Sequence, residues 1–214
     1  SSGAAVDSSF GDRHGRSGYS TVGVVEALGD GVDTSWRGAR VFAFQPHASH
    51  FVAPVASLIL LPEGLSSDAA TLLANTETAV SLVMDAAPVL GEVSAVVGLG
   101  VVGQLVLAIT SRLQLGPVHG VDVRDDRVAL ARTMSPHARF TAPSDVDVVY
   151  EVSGSTKAFA GAFDLVRREG RVIAGSWYDG AVSLGTRAHT NRNTVRFSQV
   201  STIDAALAGR FDKV

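Results

Sequence analysis

The sequence predicts an α/β protein in which a small β-rich section precedes a doubly wound parallel sheet. Three observations support this. Residues 93–198 alternate between apolar strand patterns and helical patterns, a glycine-rich turn follows the first of these strands, and residues 22–61 contain only short β-like runs. Strands separated by helices imply right-handed crossovers, which produce a parallel sheet covered on both faces.

The β-rich section is expected to form a small barrel or partial barrel. Its β-like runs are separated by turn sequences such as Gly29-Asp30-Gly31 and Gln45-Pro46-His47. The predicted strands are residues 22–28, 39–44, 50–54 and 58–61.

A helical pattern begins at Ser66 or Ser67, because either side chain can cap a helix with Asp68 in its first turn. Strands and helices then alternate. The later predicted strands are residues 93–97, 117–121, 139–141, 147–152, 171–174 and 194–198. The later predicted helices are residues 101–113, 127–134, capped by Asp125 or Asp126, and 156–168, capped by Ser155. We therefore expect a β-rich domain over 1–65, a dinucleotide-binding domain over 66–201 and a short C-terminal segment over 202–214.

Composition excludes several classes of protein. The 18 basic and 21 acidic residues are interleaved and give a net charge of -3, so no basic stripe offers itself to nucleic acid. Without cysteine there can be no disulfide, thiolate zinc site or cysteine nucleophile. No apolar run reaches the ~20 residues of a membrane helix, and residues 1–16 lack the apolar core of a signal peptide. A soluble, cytoplasmic protein is expected.

The turn after the first α/β strand predicts a dinucleotide site in a Rossmann sheet. Gly98 permits a tight turn, Gly100 lets a pyrophosphate approach the backbone, and Gly103 lets the helix pack close to the strand. The start of the helix directs N–H groups and a partial positive charge at the phosphates. The expected contacts in this turn are Gly98, Leu99, Gly100, Val101, Val102 and Gly103.

Asp122 lies 19 residues after Gly103, at the end of the next strand. A carboxylate there can accept both hydroxyls of the adenosine ribose and would repel a 2′-phosphate, so NAD is favoured over NADP. Arg124 or Arg127 could instead pair with a 2′-phosphate, which keeps NADP as the less favoured alternative. Methyltransferases also hold a nucleoside on a glycine-rich turn, but they usually carry an acid directly before the first glycine, where this chain has Val97.

Two later turns are expected to meet the nicotinamide half of the cofactor. Ser153, Gly154 and Ser176 follow the ends of two later strands, where ligands of open α/β sheets bind. The alternative is that both are simply strand-to-loop turns. The chain contains no Gly-x-Ser-x-Gly nucleophile elbow, which excludes a serine hydrolase of that type.

The order of these motifs resembles the medium-chain dehydrogenase/reductase family, the relatives of zinc alcohol dehydrogenase. In particular it is similar to the zinc-less branch that includes bacteriochlorophyllide dehydrogenase-like proteins. The segments that carry the resemblance are Gly18-Tyr19-Ser20-Thr21-Val22-Gly23-Val24-Val25, Gly38-Ala39-Arg40-Val41-Phe42, Asn75-Thr76-Glu77-Thr78-Ala79-Val80, Ser176-Trp177-Tyr178 and Phe197-Ser198-Gln199-Val200-Ser201. The resemblance implies a GroES-like substrate domain, here incomplete because both ends are short against the family, and a homodimer.

Zinc-dependent members carry Gly-His-Glu where this chain has Gly18-Tyr19-Ser20, and the cysteine ligands are absent. The resemblance therefore implies a zinc-independent oxidoreductase that passes hydride between a nicotinamide cofactor and a small alcohol or carbonyl substrate. The alternative is a non-redox member, either a binding or partner subunit or an enzyme repurposed for cyclisation or isomerisation.

Three side chains are candidates for handling the proton. Tyr19 takes the place of the lost metal ligand, although a strand tyrosine can serve packing alone. Glu77 could act as acid or base, or it could be solvated or capping. His47 could shuttle a proton, whereas His47 and His50 as a metal pair lack an evident third ligand.

Overall fold

The computed structural model describes residues 17–200, in two compact units that divide between Ala74 and Asn75. The sequence pattern places the division at residue 65, ahead of the helices that begin at Ser67. None of the helices within residues 17–200 has the length and apolar character needed to cross a bilayer.

The first unit contains a three-stranded antiparallel sheet in the order β1-β2-β3. The strands are β1 (Thr21–Val24), β2 (Arg40–Ala43) and β3 (Leu58–Leu60). The central strand is the most buried, with Val41, Phe42 and Ala43 at 4% exposure or less. In the described part of this unit, the sheet is therefore buried mainly through its middle strand.

The predicted strand over 50–54 is wrong. These residues form no strand, and Val52 is fully exposed, so the apolar pattern has no face to bury. Pro54 offers no N–H to a ladder, and its carbonyl accepts from the N–H and the hydroxyl of Ser57, which closes a 3₁₀ turn over Val55–Ser57.

The second unit is an α/β layer structure around five parallel strands in the order β5-β4-β6-β7-β8. The strands are β4 (Ser94–Val97), β5 (Val118–Val121), β6 (Val146–Glu151), β7 (Val166–Ala174) and β8 (Thr194–Phe197). The helices are α2 (Leu73–Ala86), α3 (Val101–Leu113), α4 (Asp125–Met134), α5 (Thr156–Leu165) and α6 (Gly185–Thr190), after a single turn, α1 (Ser67–Ala70), in the first unit. This confirms the doubly wound prediction.

Two apolar layers bury the two faces of this sheet. One layer joins Leu82 of α2 and Leu107 of α3 to Tyr150 of β6, and the other joins Phe159 and Phe163 of α5 to the opposite face. The middle strands β4 and β6 are rich in valine because both faces of the sheet are covered.

Several element boundaries differ from the predictions. Ser66 caps α1 as predicted, but the helix breaks at Thr71, whose hydroxyl donates to the carbonyl of Asp68 and competes with the helical pattern. Neither Asp125 nor Asp126 caps α4. Both lie in its first turn, since the N-cap residue is Arg124.

Further along the chain, the predicted strand over 139–141 is reduced to one bridge between Arg139 and His119. Helix α5 ends at Leu165, before the predicted residue 168. The next residue, Val166, is buried and pairs with Val146 as the first residue of β7. The register between β6 and β7 is irregular after this pair, and Glu169 in this stretch has φ of 60°.

Candidate functional site

The glycine-rich turn lies where the strand order reverses. Strand β4 pairs with β5 on one side and β6 on the other. The N–H of Gly98 donates to Val121 at 2.8 Å, and the carbonyl of Val97 accepts from Val152 at 2.9 Å. The turn is therefore tied to both neighbours at the carboxyl ends of the strands, the place where open α/β sheets bind ligands.

Each glycine of the motif has its own structural reason. Gly98 has φ of 94°, and a Cβ on it would lie 2.6 Å from Cα of Ser153. A Cβ on Gly103 would run into the carbonyl oxygen of Gly98, so this glycine lets α3 approach the strand. A Cβ on Gly100 would meet nothing within 4 Å, and this open space is what a ligand against the backbone requires.

Backbone N–H groups at the start of α3 follow directly after this open space at Gly100 and have no acceptor among the described residues. The N–H groups of the first turn of a helix have no intrahelical partner, and Gly100 at the cap position has no side chain to supply one. Gln104 N donates to the carbonyl of Gly100 at 2.9 Å. The N–H groups of Val101, Val102 and Gly103 find no acceptor within residues 17–200. They form a cradle for an anion.

Leu99 differs from the rest of the turn. Its side chain is buried in the core, and its N–H donates to Oδ2 of Asp122 at 2.6 Å. The amide of Leu99 is thus already used inside the protein, and Leu99 contributes to the site by holding the turn in place.

Asp122 ties the turn to the end of β5. Its side chain is only 3% exposed, Oδ1 accepts from the N–H of Arg124 at 2.9 Å, and the Arg127 guanidinium lies 3.5 Å from Oδ2. Each carboxylate oxygen carries two lone pairs. Oδ2 already accepts from the N–H of Leu99 and from Arg127, so within residues 17–200 Oδ1 is the oxygen that retains capacity for a further hydrogen bond. Arg124 itself is held by two hydrogen bonds to Asp126, at 3.0 and 2.6 Å.

Gln104 was not among the predicted site residues. It is buried, and its amide Nε2 donates to the carbonyls of Leu99 at 3.2 Å and Arg127 at 3.0 Å, which joins the turn to α4. An amide within a helix that otherwise buries apolar residues was the signal that could have identified it.

A second group of polar residues lies at the ends of β6 and β7. Ser153 donates its N–H (3.1 Å) and its hydroxyl to Oε1 of Glu151, and its hydroxyl accepts from the N–H of Ser155 at 3.0 Å. The Tyr178 hydroxyl donates to Oε2 of the same carboxylate. Burial, and then the hydrogen bond to Glu151, raise the pKa of Tyr178 above its ordinary value.

The predicted Ser153 and Gly154 belong to this group, with Gly154 at φ of 73°. Ser176 lies in the turn after β7 and is half-buried. Glu151 and Tyr178 were missed. An acid at the end of an otherwise buried apolar strand was the available signal for Glu151.

The three predicted proton-handling residues fall in different units. Tyr19 and His47 lie in the first unit, where the His47 ring packs against Gly18 so closely that a Cβ there would be 2.7 Å from Cε1. Glu77 lies half-buried on α2 in the second unit. His50 faces Glu26 at 3.4 Å, and both side chains are well exposed. Within residues 17–200 no three side chains of His, Cys, Asp or Glu are grouped as metal ligands.

Comparison with known proteins identifies the fold. No family model and no curated protein matches the chain. Among solved structures, it is similar to a short chain alcohol dehydrogenase of Escherichia coli CFT073 complexed with NADH (TM-score 0.68, 13% identity, 84% of this chain and 66% of that chain). It is also similar to 2R,3R-butanediol dehydrogenase of Bacillus subtilis (TM-score 0.68, 19% identity, 84% and 63%).

A third similar structure is a protein assigned as a zinc-binding dehydrogenase, from Sinorhizobium meliloti, bound to NADP (TM-score 0.70, 18% identity, 84% and 67%). The chain spans about two thirds of the length of these structures. At these identities the comparisons show the fold alone, a doubly wound parallel α/β sheet with a small antiparallel sheet.

Proposed function

We propose that the protein is a nicotinamide-dinucleotide-dependent oxidoreductase of the medium-chain type, acting on a small alcohol or carbonyl substrate. The observation that carries the proposal is the cradle of N–H groups on Val101, Val102 and Gly103 beside the open space at Gly100. The bound dinucleotide supplies the hydride chemistry. The chain supplies the phosphate cradle, the orientation of the two cofactor halves and the groups that move the proton.

NAD is the proposed cofactor, with NADP less favoured. Asp122 stands at the end of β5, where its charge would repel a 2′-phosphate. The two arginines that could favour that phosphate are already engaged with carboxylates, Arg124 with Asp126 and Arg127 with Asp122. Titration with NAD+ and NADP+ by calorimetry tests this preference, and tighter binding of NADP+ would contradict it.

The cofactor site is tested by filling the open space at Gly100. Gly100 has φ of -71°, which any residue adopts, so Gly100→Val should fold normally while its side chain occupies the path of the phosphates. We expect a loss of dinucleotide affinity of at least about tenfold. Gly161→Val is the matched control, since a Cβ on Gly161 in α5 also meets nothing within 4 Å. Wild-type affinity in Gly100→Val would contradict the proposed site.

Zinc independence is part of the proposal. It rests on the donor set, since the chain has no cysteine and carries tyrosine in Gly18-Tyr19-Ser20. Activity should therefore survive exhaustive chelation, and loss of activity that zinc alone restores would contradict this part.

Without zinc, a side chain must hold or move the proton, and we propose Tyr19, His47 and Glu77 for this role. Tyr19→Phe, His47→Ala and Glu77→Gln are expected to lower kcat/KM, with at least one by about a hundredfold. If none of the three lowers it, the assignment is wrong. Binding of NADH without turnover of any alcohol, aldehyde or ketone would favour the non-redox alternative.

A further inference from the structure

Glu151 is a fully buried acid at the carboxyl end of β6. It accepts the N–H of Ser153 at 3.1 Å, the hydroxyl of Ser153 and the hydroxyl of Tyr178. An ionised carboxylate only accepts hydrogen bonds, and all three partners here donate. The Ser153 N–H can only donate, and the two hydroxyls are placed to donate as well, so the contacts suit a carboxylate.

This carboxyl group has no cationic partner in the part of the chain that the structure describes. No lysine, arginine or histidine within residues 17–200 forms an ion pair with Glu151. The contrast with other shielded acids of the same unit is clear, because each of these faces an arginine. These pairs are Asp85–Arg196 (2.6 Å), Glu92–Arg171 (2.6 Å), Asp122–Arg127 (3.5 Å) and Asp147–Arg167 (2.5 Å). A buried charge without a counter-charge is costly, so a cationic ligand nearby would be favoured.

The position of Glu151 identifies which part of a dinucleotide it would face. It is in register with Val97, which precedes the glycine turn, and with Ala174 at the end of β7. Ser153, which it holds, lies directly against Gly98. The β4–β5 side carries Asp122 and receives the adenosine half, so the β6–β7 side faces the nicotinamide.

The nicotinamide ring is a cation when oxidised and neutral when reduced. We propose that the charge of Glu151 shifts the binding preference of the protein toward the oxidised dinucleotide. This inference rests on the proposed function. Glu151 acts through space and through the Ser153 turn, as a positioning residue. Stabilising the oxidised form also makes the bound reduced form a stronger hydride donor, which favours reduction of carbonyl substrates.

The test is the ratio of the dissociation constants, Kd for NAD+ divided by Kd for NADH, measured by calorimetry on the full chain. Glu151→Gln keeps the shape of the side chain. Its carbonyl can accept from Ser153 N–H, and its amide can donate to the Tyr178 oxygen. We expect the ratio to rise by about threefold or more, because the cation loses an electrostatic partner and the neutral ring does not.

Glu169→Gln is the matched control. It removes the same charge from an exposed site in the first half of β7, away from the carboxyl ends of the strands. We expect this control to leave the ratio unchanged. A ratio that is unchanged or lower in Glu151→Gln overturns the proposal, because equal losses for both forms indicate a structural role alone.

Tyr178→Phe is the second variant and decides the matter if Glu151→Gln does not fold. This substitution keeps the Glu151 carboxylate and removes the hydroxyl dipole that partly offsets its charge. The ratio should therefore fall, and an unchanged or higher ratio overturns the proposal. If the wild-type protein binds neither NAD+ nor NADH, the proposed function itself fails. Binding of both, without the expected change of ratio, refutes only the role of Glu151.

Discussion

Asp122 shows how one side chain can serve both structure and ligand binding. Its carboxylate joins the glycine turn to β5 through the N–H groups of Leu99 and Arg124. These two hydrogen bonds fix the geometry of the turn before a ligand binds, which lowers the entropy cost of binding. The remaining lone pair, on Oδ1, is the one that a ribose hydroxyl would use.

Replacement of Asp122 should therefore affect stability as well as binding. Asp122→Ala leaves the N–H of Leu99 buried and unpaired, so we expect the free energy of unfolding to fall by about 2 kcal/mol. NAD+ affinity should fall too. Urea unfolding and calorimetry check the two effects. Asp126→Ala is the control, because the contacts it removes, an ion pair with Arg124 and hydrogen bonds from backbone N–H groups of the first turn of α4, are exposed to solvent, and an equal loss of stability in both variants would contradict the explanation.

A second prediction at this scale concerns acid stability. The hydrogen bonds from Arg171 lower the pKa of Glu92 below its ordinary value. A carboxyl whose pKa is lower in the folded state stabilises the protein above its unfolded pKa, and this stabilisation is lost as the pH falls through the folded pKa. The free energy of unfolding should thus fall below about pH 4.5, and less steeply in Glu92→Gln. The exposed Glu63→Gln should follow the wild type, and an identical pH profile for Glu92→Gln would contradict the prediction.

Among the elements, a helix cap was predictable where it depends only on residues close to it in the sequence. Ser155 caps α5 and accepts from the N–H of Ala158 at 3.3 Å. Ser155→Ala should cost about 1 kcal/mol of stability, while Ser155→Gly should cost only a few tenths, since glycine also suits the cap position. Thermal and urea unfolding measure the difference. Equal costs for the two variants would show that the hydroxyl does not stabilise the helix.

Strands β4 and β6 were predictable because burial on both faces leaves valine-rich runs, and α3 begins and ends where its helical pattern does. The early part of β7 and all of α6 were not. Residues 167–170 are polar or glycine and carry no apolar strand pattern, and they lie in the irregular part of the β6–β7 pairing. The strand over 50–54 failed because an apolar pattern alone does not supply a neighbouring strand.

The residues of the candidate site also divide into those that could be predicted from the sequence and those that could not. The glycine turn and Asp122 could be predicted because the dinucleotide motif has a fixed spacing. Gln104, Glu151 and Tyr178 were not, since their roles come from contacts with residues that folding alone brings together. Their polar character within apolar sequence made them unusual, but the sequence did not indicate which residues they would contact.

At the scale of the whole molecule, a homodimer is predicted through the edge of the sheet. Within residues 17–200, β8 pairs only with β7, and Phe197 is exposed on it. Ser198 N donates to Ala174, so by alternation the N–H of Val195 points away from β7. Val195→Pro should therefore shift a dimer toward monomer in light scattering, while Val195→Thr should not. A wild-type monomer, or a dimer unaffected by proline, would contradict the prediction.

The small number of buried apolar side chains in the described part of the first unit has a consequence for how the chain opens. These are Val41, Phe42 and Ala43 on β2, with Ala70 and Ala74, so residues 17–74 have little apolar area to lose, whereas apolar layers cover both faces of the parallel sheet. Amide hydrogen exchange should therefore run ahead in residues 21–60, through openings that leave the strands around Val96 and Val148 protected. Equal protection in both regions would mean that the chain opens only as a whole.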